Sequence, residues 1–314
     1  MLPGSFGFGI QFSCFPSFPN LKLSNNFLTP QELCYNLLMN PESALQEFHL
    51  TEEPSVLPGG SKKTYKVGNI VLKHVAETSL ENNHSQQLIQ WIAGFSDHIV
   101  QEGFRIPRAI KTAQGQWITH DGWTAWTFLE GKHAIKEDIP ACIQGIIALH
   151  KELKGIAKHP LMDDNRTPWG KADKWCWDEK PLSIQPELKD YVDTLYKLRK
   201  PVGSLEDQLI HADLNPENIL IAQGLPPAFL DLSPFWRPPE FALAIFANFI
   251  GPRRGDGTVL RHFAGIKAFD QMLIRAGIRM LLVMSVIDDL EDWKTSSERQ
   301  AAQIIIDYIT SKPH

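Results

Sequence analysis

The chain has 314 residues, 43% of them hydrophobic, with a formal net charge of -5. That apolar content suffices for a large core and more than one lobe, and the acidic balance leaves no broad footprint for a nucleic-acid backbone. Cys14, Cys34, Cys142 and Cys176 lie far apart with no Cys-x-x-Cys pairing, which argues against a disulfide framework or zinc site and for a reducing cytoplasm.

From Met1 to Leu21 there is no charge, and Gly, Pro, Ser and Phe follow one another without helical or strand period. A secretory signal needs a basic start and a continuous apolar core, so residues 1–28 are expected to be a flexible extension. Thr29-Pro30-Gln31-Glu32 opens a helix carrying Leu33, Leu37 and Leu38 that ends near Pro41. Farther on, Gly59, Gly60 and Ser61 precede Tyr65-Lys66-Val67, the hairpin signal Gly68-Asn69, and Ile70-Val71-Leu72-Lys73. Such small residues let backbone N–H groups approach phosphate oxygens, although a plain turn fits equally because G-x-G-x-x-G is absent. By itself Lys73 reads as a snorkelling strand lysine or as a phosphate ligand. A helix is expected over residues 79–95. Phe104 to Ile110, Trp117 to Thr119 and Trp123 to Phe128, separated by Gln114-Gly115 and Asp121-Gly122, suit the remaining strands of a small antiparallel sheet.

Past Gly131 the period becomes helical. Ile139, Ile143, Ile146, Ile147, His150 and Leu153 form one stripe, with Asp138 as the expected cap and His150 as a hydrogen-bonded core histidine. Trp169-Gly170-Lys171-Ala172-Asp173-Lys174-Trp175-Cys176-Trp177 either forms a wall for a cationic substrate or packs an insertion onto the lobe. Then comes the most informative stretch, Leu209-Ile210-His211-Ala212-Asp213-Leu214-Asn215-Pro216-Glu217-Asn218-Ile219-Leu220-Ile221. It spells H-x-D-x-x-x-x-N, runs into a β-branched strand, turns at Gly224-Leu225-Pro226-Pro227, and returns through Ala228-Phe229-Leu230 to Asp231. Physically, Asp213 is suited to take a proton from an attacking hydroxyl, while Asn218 and Asp231 are suited to hold Mg²⁺ on nucleotide phosphates. The rest reads as helices: 241–250, 269–287, and one opened by Thr295-Ser296-Ser297-Glu298 as a capping box. None reaches the length of a membrane span.

This catalytic stretch resembles that of the aminoglycoside phosphotransferase and choline kinase group. Asp231-Leu232-Ser233-Pro234-Phe235-Trp236-Arg237-Pro238-Pro239, together with the Trp169 to Asp173 segment, further resembles an actinobacterial family with an Asp-x-Ser-Pro-Tyr-Trp-Arg-Pro-Pro stretch. The resemblance implies an α+β, bilobal protein-kinase-like fold. Its small antiparallel-sheet, nucleotide-binding lobe spans 29–130 and its larger, mainly helical catalytic lobe 131–314, with residues 128–131 joining them beside the adenine site. It further implies ATP and Mg²⁺ as cofactors, Asp213 as catalytic base, Asn218 and Asp231 as metal ligands, and Lys73 with Gly59, Gly60 and Ser61 on the phosphates. His211 would brace the loop. In the resembled fold the lysine matching Lys73 has a Glu partner in the following helix; here, with Glu77 and Glu81 near the helix start and Gln86 and Gln87 within it, either Glu81 reaches back, a Gln replaces the acid, or the pair is absent.

The chain departs from the group's pattern at Ala212 and Glu217, each in place of Gly. Phosphotransfer to a hydroxyl of a small molecule is the expected activity, with no nucleic-acid or membrane partner. A nucleotide-binding scaffold without turnover is the alternative, favoured by Glu217 and the reduced glycine loop, and nucleotidyl transfer to a protein is a third reading. Arg237, just past the metal carboxylate, would grip an anionic group or pair with Glu240 or another acid of the lobe.

Overall fold

The two-residue turn at Gly68 and Asn69 organises the first sheet. Gly68 has φ +55°, which costs glycine little, and the turn sets β2 (Tyr65–Val67) against β3 (Ile70–His74) with Val67 opposite Ile70. β1 (Ser55–Val56), β4 (Ala109–Ile110) and β5 (Trp123–Thr127) complete a five-stranded antiparallel sheet in the order β1-β2-β3-β5-β4. Strand alternation sends Leu72 into a small core with Ala44, Phe48, Val67, Trp123 and Ala125, and Lys73 to the opposite face. Helix α1 (Glu42–Glu47) packs on this core through Ala44. Helix α2 (Asn82–His98) is tied to β4 by Arg108, whose guanidinium donates to the carbonyls of Ser96, Asp97 and Ile99 and so satisfies the helix C-terminus. The computed structural model describes residues 40–57, 64–75, 82–163, 167–178, 181, 183–287 and 296–312. The expected N-terminal extension, most of the helix opening at Thr29, and Gly59, Gly60, Ser61, Glu77 and Glu81 lie outside the described residues.

The second and larger core belongs to helices. These are α3 (Ile139–Leu153), α4 (Pro168–Trp177), α5 (Pro186–Leu198), α6 (Pro239–Ile250), α7 (Phe269–Ile287) and α8 (Ser297–Thr310). Proline in the first turn of α3 to α6 fixes φ where no intrahelical N–H bond is lost. Helix α7 is buried from Met272 through Val283 on every face, as expected of a helix apolar all round, and packs against α4, α5, α6 and α8. Two small antiparallel sheets lie on this body. One pairs β7 (Gln208–His211) with β10 (Pro234–Arg237); the other orders β6 (Lys132–His133), β8 (Ile219–Ile221) and β9 (Ala228–Phe229) as β6-β8-β9.

Several local expectations need correction. Asp138 does not cap the N–H groups of α3; its Oδ2 accepts from the Ile135 N–H at 2.9 Å, because a short 3-10 turn precedes the helix. Ser296 caps α8 by accepting from Arg299 N–H, Glu298 pairs with Arg253, and Thr295, the first residue of the expected capping box, lies outside the described residues. Trp117 to Thr119 makes only an isolated bridge, Ile118 opposite Thr124, instead of a strand. Phe104 and Ile106 join the larger core, where Arg105 bridges to Ala228. Helix α2 also ends three residues later than its periodicity suggested.

Between β5 and β6 the chain passes from one core to the other through residues 128–131. Gly131 has φ +151°, and a Cβ there would lie 2.8 Å from Leu220 Cβ and 3.0 Å from the Ile221 carbonyl oxygen. Both neighbours sit on β8, so neither yields easily. Gly131→Ala is therefore expected to destabilise the protein by about 1–3 kcal/mol. Urea unfolding of the purified variant checks this, and an unchanged midpoint would contradict the tight crossing.

Candidate active site

Strand β7 ends at His211, and the backbone beyond it is held at nearly every polar group. His211 N–H donates to His150 Nε2 at 3.2 Å, Ala212 N–H to the Ser233 carbonyl at 2.9 Å, and Asp213 N–H to His211 Nδ1 at 3.3 Å. The Ser233 N–H also donates to His211 Nδ1 at 3.3 Å, while His211 Nε2 donates to the Leu230 carbonyl at 2.9 Å. Two donors on Nδ1 and an acceptor at Nε2 fix the ring as the neutral Nε2–H tautomer. Full burial agrees: desolvation pushes the His211 pKa down despite Asp213 and Asp231 nearby.

Asp213, Asn215 and Asn218 then form one knot. Asn-Pro at 215–216 starts a 3-10 turn in which Asn215 Oδ1 accepts from Asn218 N–H at 2.9 Å. Asn215 Nδ2 donates to Asp213 Oδ1 at 2.9 Å, and Asn218 Nδ2 donates to Asp213 Oδ2 at 2.9 Å and to its carbonyl at 3.0 Å. Both partners of Asn218 Nδ2 are oxygens, so the amide nitrogen must face Asp213, which leaves its oxygen for another ligand.

Asp231 follows β9. Leu230 N–H donates to the Asn218 carbonyl at 2.8 Å, which brings the two strand ends together, and Asp231 itself has φ +52°, a left-handed conformation that Asp tolerates better than most residues. Lys73 Nζ, 158 residues earlier on β3, donates to Asp231 Oδ1. The structure thus brings Lys73, Asp213, Asn218 and Asp231 into one connected region. An amide oxygen and a carboxylate are hard oxygen donors of the kind Mg²⁺ prefers, so this donor set fits that ion.

Residues 56–271 match the model of the phosphotransferase enzyme family, APH. The chain belongs to that family. No curated protein matches it in sequence. Among solved structures this phosphotransferase is similar to amicoumacin kinase in complex with AMP-PNP, Ca²⁺ and Ami, with TM-score 0.56 at 15% identity over 91% of this chain and 97% of the other. A thermostable mutant of aminoglycoside phosphotransferase APH(4)-Ia, in ternary complex with AMP-PNP and hygromycin B, gives TM-score 0.56 at 13% identity over 87% and 99%. A choline/ethanolamine kinase family protein from Mesorhizobium loti gives 0.54 at 13% identity over 88% and 96%. At such identities the likeness speaks to the fold, which is bilobal and kinase-like: a small antiparallel-sheet lobe and a larger helical one.

The side-chain partners bear on four further expectations about this phosphotransferase, although Glu77 and Glu81 lie outside the described residues. Among the described residues, the carboxylate on Lys73 is that of Asp231, and Gln86 and Gln87 make no hydrogen bond to it. Arg237 pairs with Asp173 instead of Glu240, through Nε at 2.9 Å and Nη2 at 2.8 Å, both on Oδ2. Two of the three tryptophans of the 169–177 stretch pack under the protein's own cations: Trp177 under Arg237 and Arg275, Trp169 under Arg279. Glu217, the departure from Gly, forms an exposed ion pair with Arg254 at 3.0 Å.

His150 sits on α3 and stacks the loop on the core. Its Nδ1 donates to the Ile146 carbonyl at 2.7 Å, leaving Nε2 to accept from His211. Burial pushes its pKa down to about 4. A histidine that is neutral when folded but charged when unfolded binds fewer protons in the native state between pH about 4 and 6.5. Its stabilisation is complete above pH 6.5 and lost as pH falls toward 4, about 3 kcal/mol in all. Urea unfolding from pH 7.5 to 4 should show this decline, and His150→Gln should flatten part of it. Parallel pH curves for the two proteins would contradict the assignment.

Proposed function

We propose that this phosphotransferase moves the terminal phosphoryl group of ATP to a hydroxyl of a small molecule, with Mg²⁺ as cofactor. The observation that carries the reading is the Lys73 contact with Asp231, beside an Asp213 carboxylate held by two amides. Lys73, brought from a distant part of the sequence to the stretch that holds Asp213, Asn218 and Asp231, serves phosphate chemistry, and a scaffold without turnover has no physical need for all four. Structures of similar fold were solved with AMP-PNP, which supports a nucleotide here as well.

In this reading Asp213 accepts or orients the proton of the substrate hydroxyl. The amides of Asn215 and Asn218 hold its two oxygens at fixed directions, so alignment costs little at the moment of transfer. Asn218 through its amide oxygen and Asp231 through its carboxylate would hold Mg²⁺, which neutralises charge on the phosphate oxygens. Lys73 would steady the nonreacting phosphates, and Gly59, Gly60 and Ser61 are the sequence's candidates for backbone contacts to the same groups. Residues 128–131 offer backbone groups to the base. Residues 29–130 thus serve as the nucleotide lobe and 131–314 as the catalytic and substrate lobe, following a short extension at 1–28. Placement in the cytoplasm accords with the cysteine pattern, and among the described residues no helix is long and apolar enough to cross a membrane.

A panel of hydroxylated metabolites, sugars, amino alcohols and aminoglycosides, incubated with ATP and Mg²⁺, identifies the acceptor. Asp213→Asn should then lower turnover by about 10²-fold or more while leaving ATP affinity by calorimetry unchanged. Undiminished turnover in that variant rejects Asp213 as base. Because Arg254 already balances Glu217 at the surface, Glu217→Gly should change turnover by no more than about fivefold, the reach of an exposed ion pair. A larger gain would mean that Glu217 repels the phosphates.

A further inference from the structure

The Trp169 to Asp173 segment and the Phe235-Trp236-Arg237 segment have no part in the chemistry above, yet they meet at one side chain. Arg279, in the middle of the apolar helix α7, is 4% exposed and donates from Nη1 to the Ala212 carbonyl at 3.0 Å. Its guanidinium lies against the rings of Trp169, 5.0 Å from the centroid, and Phe235, 4.7 Å from the centroid. Asp173, also 4% exposed, has Oδ1 at 3.9 Å from Arg279 Nε and gives Oδ2 to Arg237. Arg237 and Phe235 both come from β10, the strand paired with β7.

We infer that Arg279 is a positioning residue that holds the Asp213 loop through the Ala212 carbonyl, with Asp173 as its anchor. The inference rests on the reading of Asp213 as the base. A buried guanidinium loses several kcal/mol of hydration, and for packing alone an apolar side chain of similar volume serves as well or better. What it gains here is a charge-assisted bond to a carbonyl one residue before the catalytic carboxylate. Ala212 N–H is taken by Ser233, Asp213 N–H by His211 and the Asp213 carbonyl by Asn218, so Arg279 supplies the one remaining partner between Ala212 N and Asp213 O. With both ends of the Ala212–Asp213 peptide group held, the loop is fixed where the carboxylate begins, and misplacement of a base by about 1 Å is enough to cost about 10²-fold in rate.

The test compares Arg279→Met, Arg279→Lys and Asp173→Asn with the unaltered protein. Hydrogen exchange by mass spectrometry needs no substrate and reads the loop directly. In Arg279→Met, amides 212 and 213 should exchange about tenfold faster or more, whereas residues 70–74 and 123–127 keep their protection. Arg279→Lys should restore part of the protection, and Asp173→Asn, which keeps its shape, should show the same local loosening if Arg279→Met does not fold. With an acceptor in hand, turnover should fall about 10- to 100-fold at unchanged ATP KM. Native exchange at 212 and 213 in folded Arg279→Met, or faster exchange that extends equally to residues 70–74 and 123–127, overturns the assignment. The two readings separate cleanly: a fully active Asp213→Asn with a loosened Arg279→Met loop removes the base but not the anchor. A dead Asp213→Asn with an unchanged loop in Arg279→Met does the reverse.

Discussion

The arrangement of the site depends on one uncharged imidazole. His211 accepts the N–H groups of Asp213 and Ser233 and donates to the Leu230 carbonyl, so a single ring ties the Asp213 loop to both sides of the Asp231 turn. A charged ring has no lone pair and must drop both acceptor bonds. Burial enforces the neutral form, and His150 beneath it extends the chain of bonds to the Ile146 carbonyl in α3. The catalytic loop is thereby bolted to the centre of the helical lobe instead of riding on the surface.

The sheet lobe contributes through simpler geometry. Period-two alternation along β3 buries Leu72 and turns Lys73 the other way, where it meets Asp231. Nothing beyond a short hairpin and one apolar cluster is needed to place that amine. The helical lobe contributes through buried charge: Asp173 gathers Arg237 and comes close to Arg279, and aromatic faces cover the guanidinium groups. Desolvation pushes Asp173 up and Arg279 down, and the neighbouring opposite charges counter both shifts. Losing one member would leave the other charged and dry, a loss of about 3–5 kcal/mol for a buried pair.

What could be read from the sequence was mostly local. The turn at 68–69, the helix over 269–287 and the hairpin linking Asn218 to Asp231 each follow from spacing over a dozen or so residues. Asp213 and Asn218 are five apart, so their contact is close to a local fact as well. Asn215 was missed although Asn-Pro is a recognisable turn opener whose side chain bonds forward. The role of the 169–177 tryptophans stayed open because it is set by Arg237, Arg275 and Arg279, which lie far along the chain. Two arginines four residues apart in a mainly apolar helix were a sequence signal of that buried network, but periodicity alone gives them no partner. Asp138 looked like a cap for α3, yet an intervening 3-10 turn claimed its carboxylate, a competition between neighbouring backbone donors that spacing does not rank.

The left-handed backbone at Asp231 narrows the choices open to anyone wanting a silent version of this protein. Asn keeps both the shape and the rare torsion while discarding the charge, whereas Ala discards the charge and must also climb into a region its Cβ resists. A comparison built on alanine would mix lost electrostatics with a distorted chain. The asparagine exchange isolates the electrostatics, and the difference between alanine and glycine, both uncharged but only one free to visit that torsion, isolates the chain.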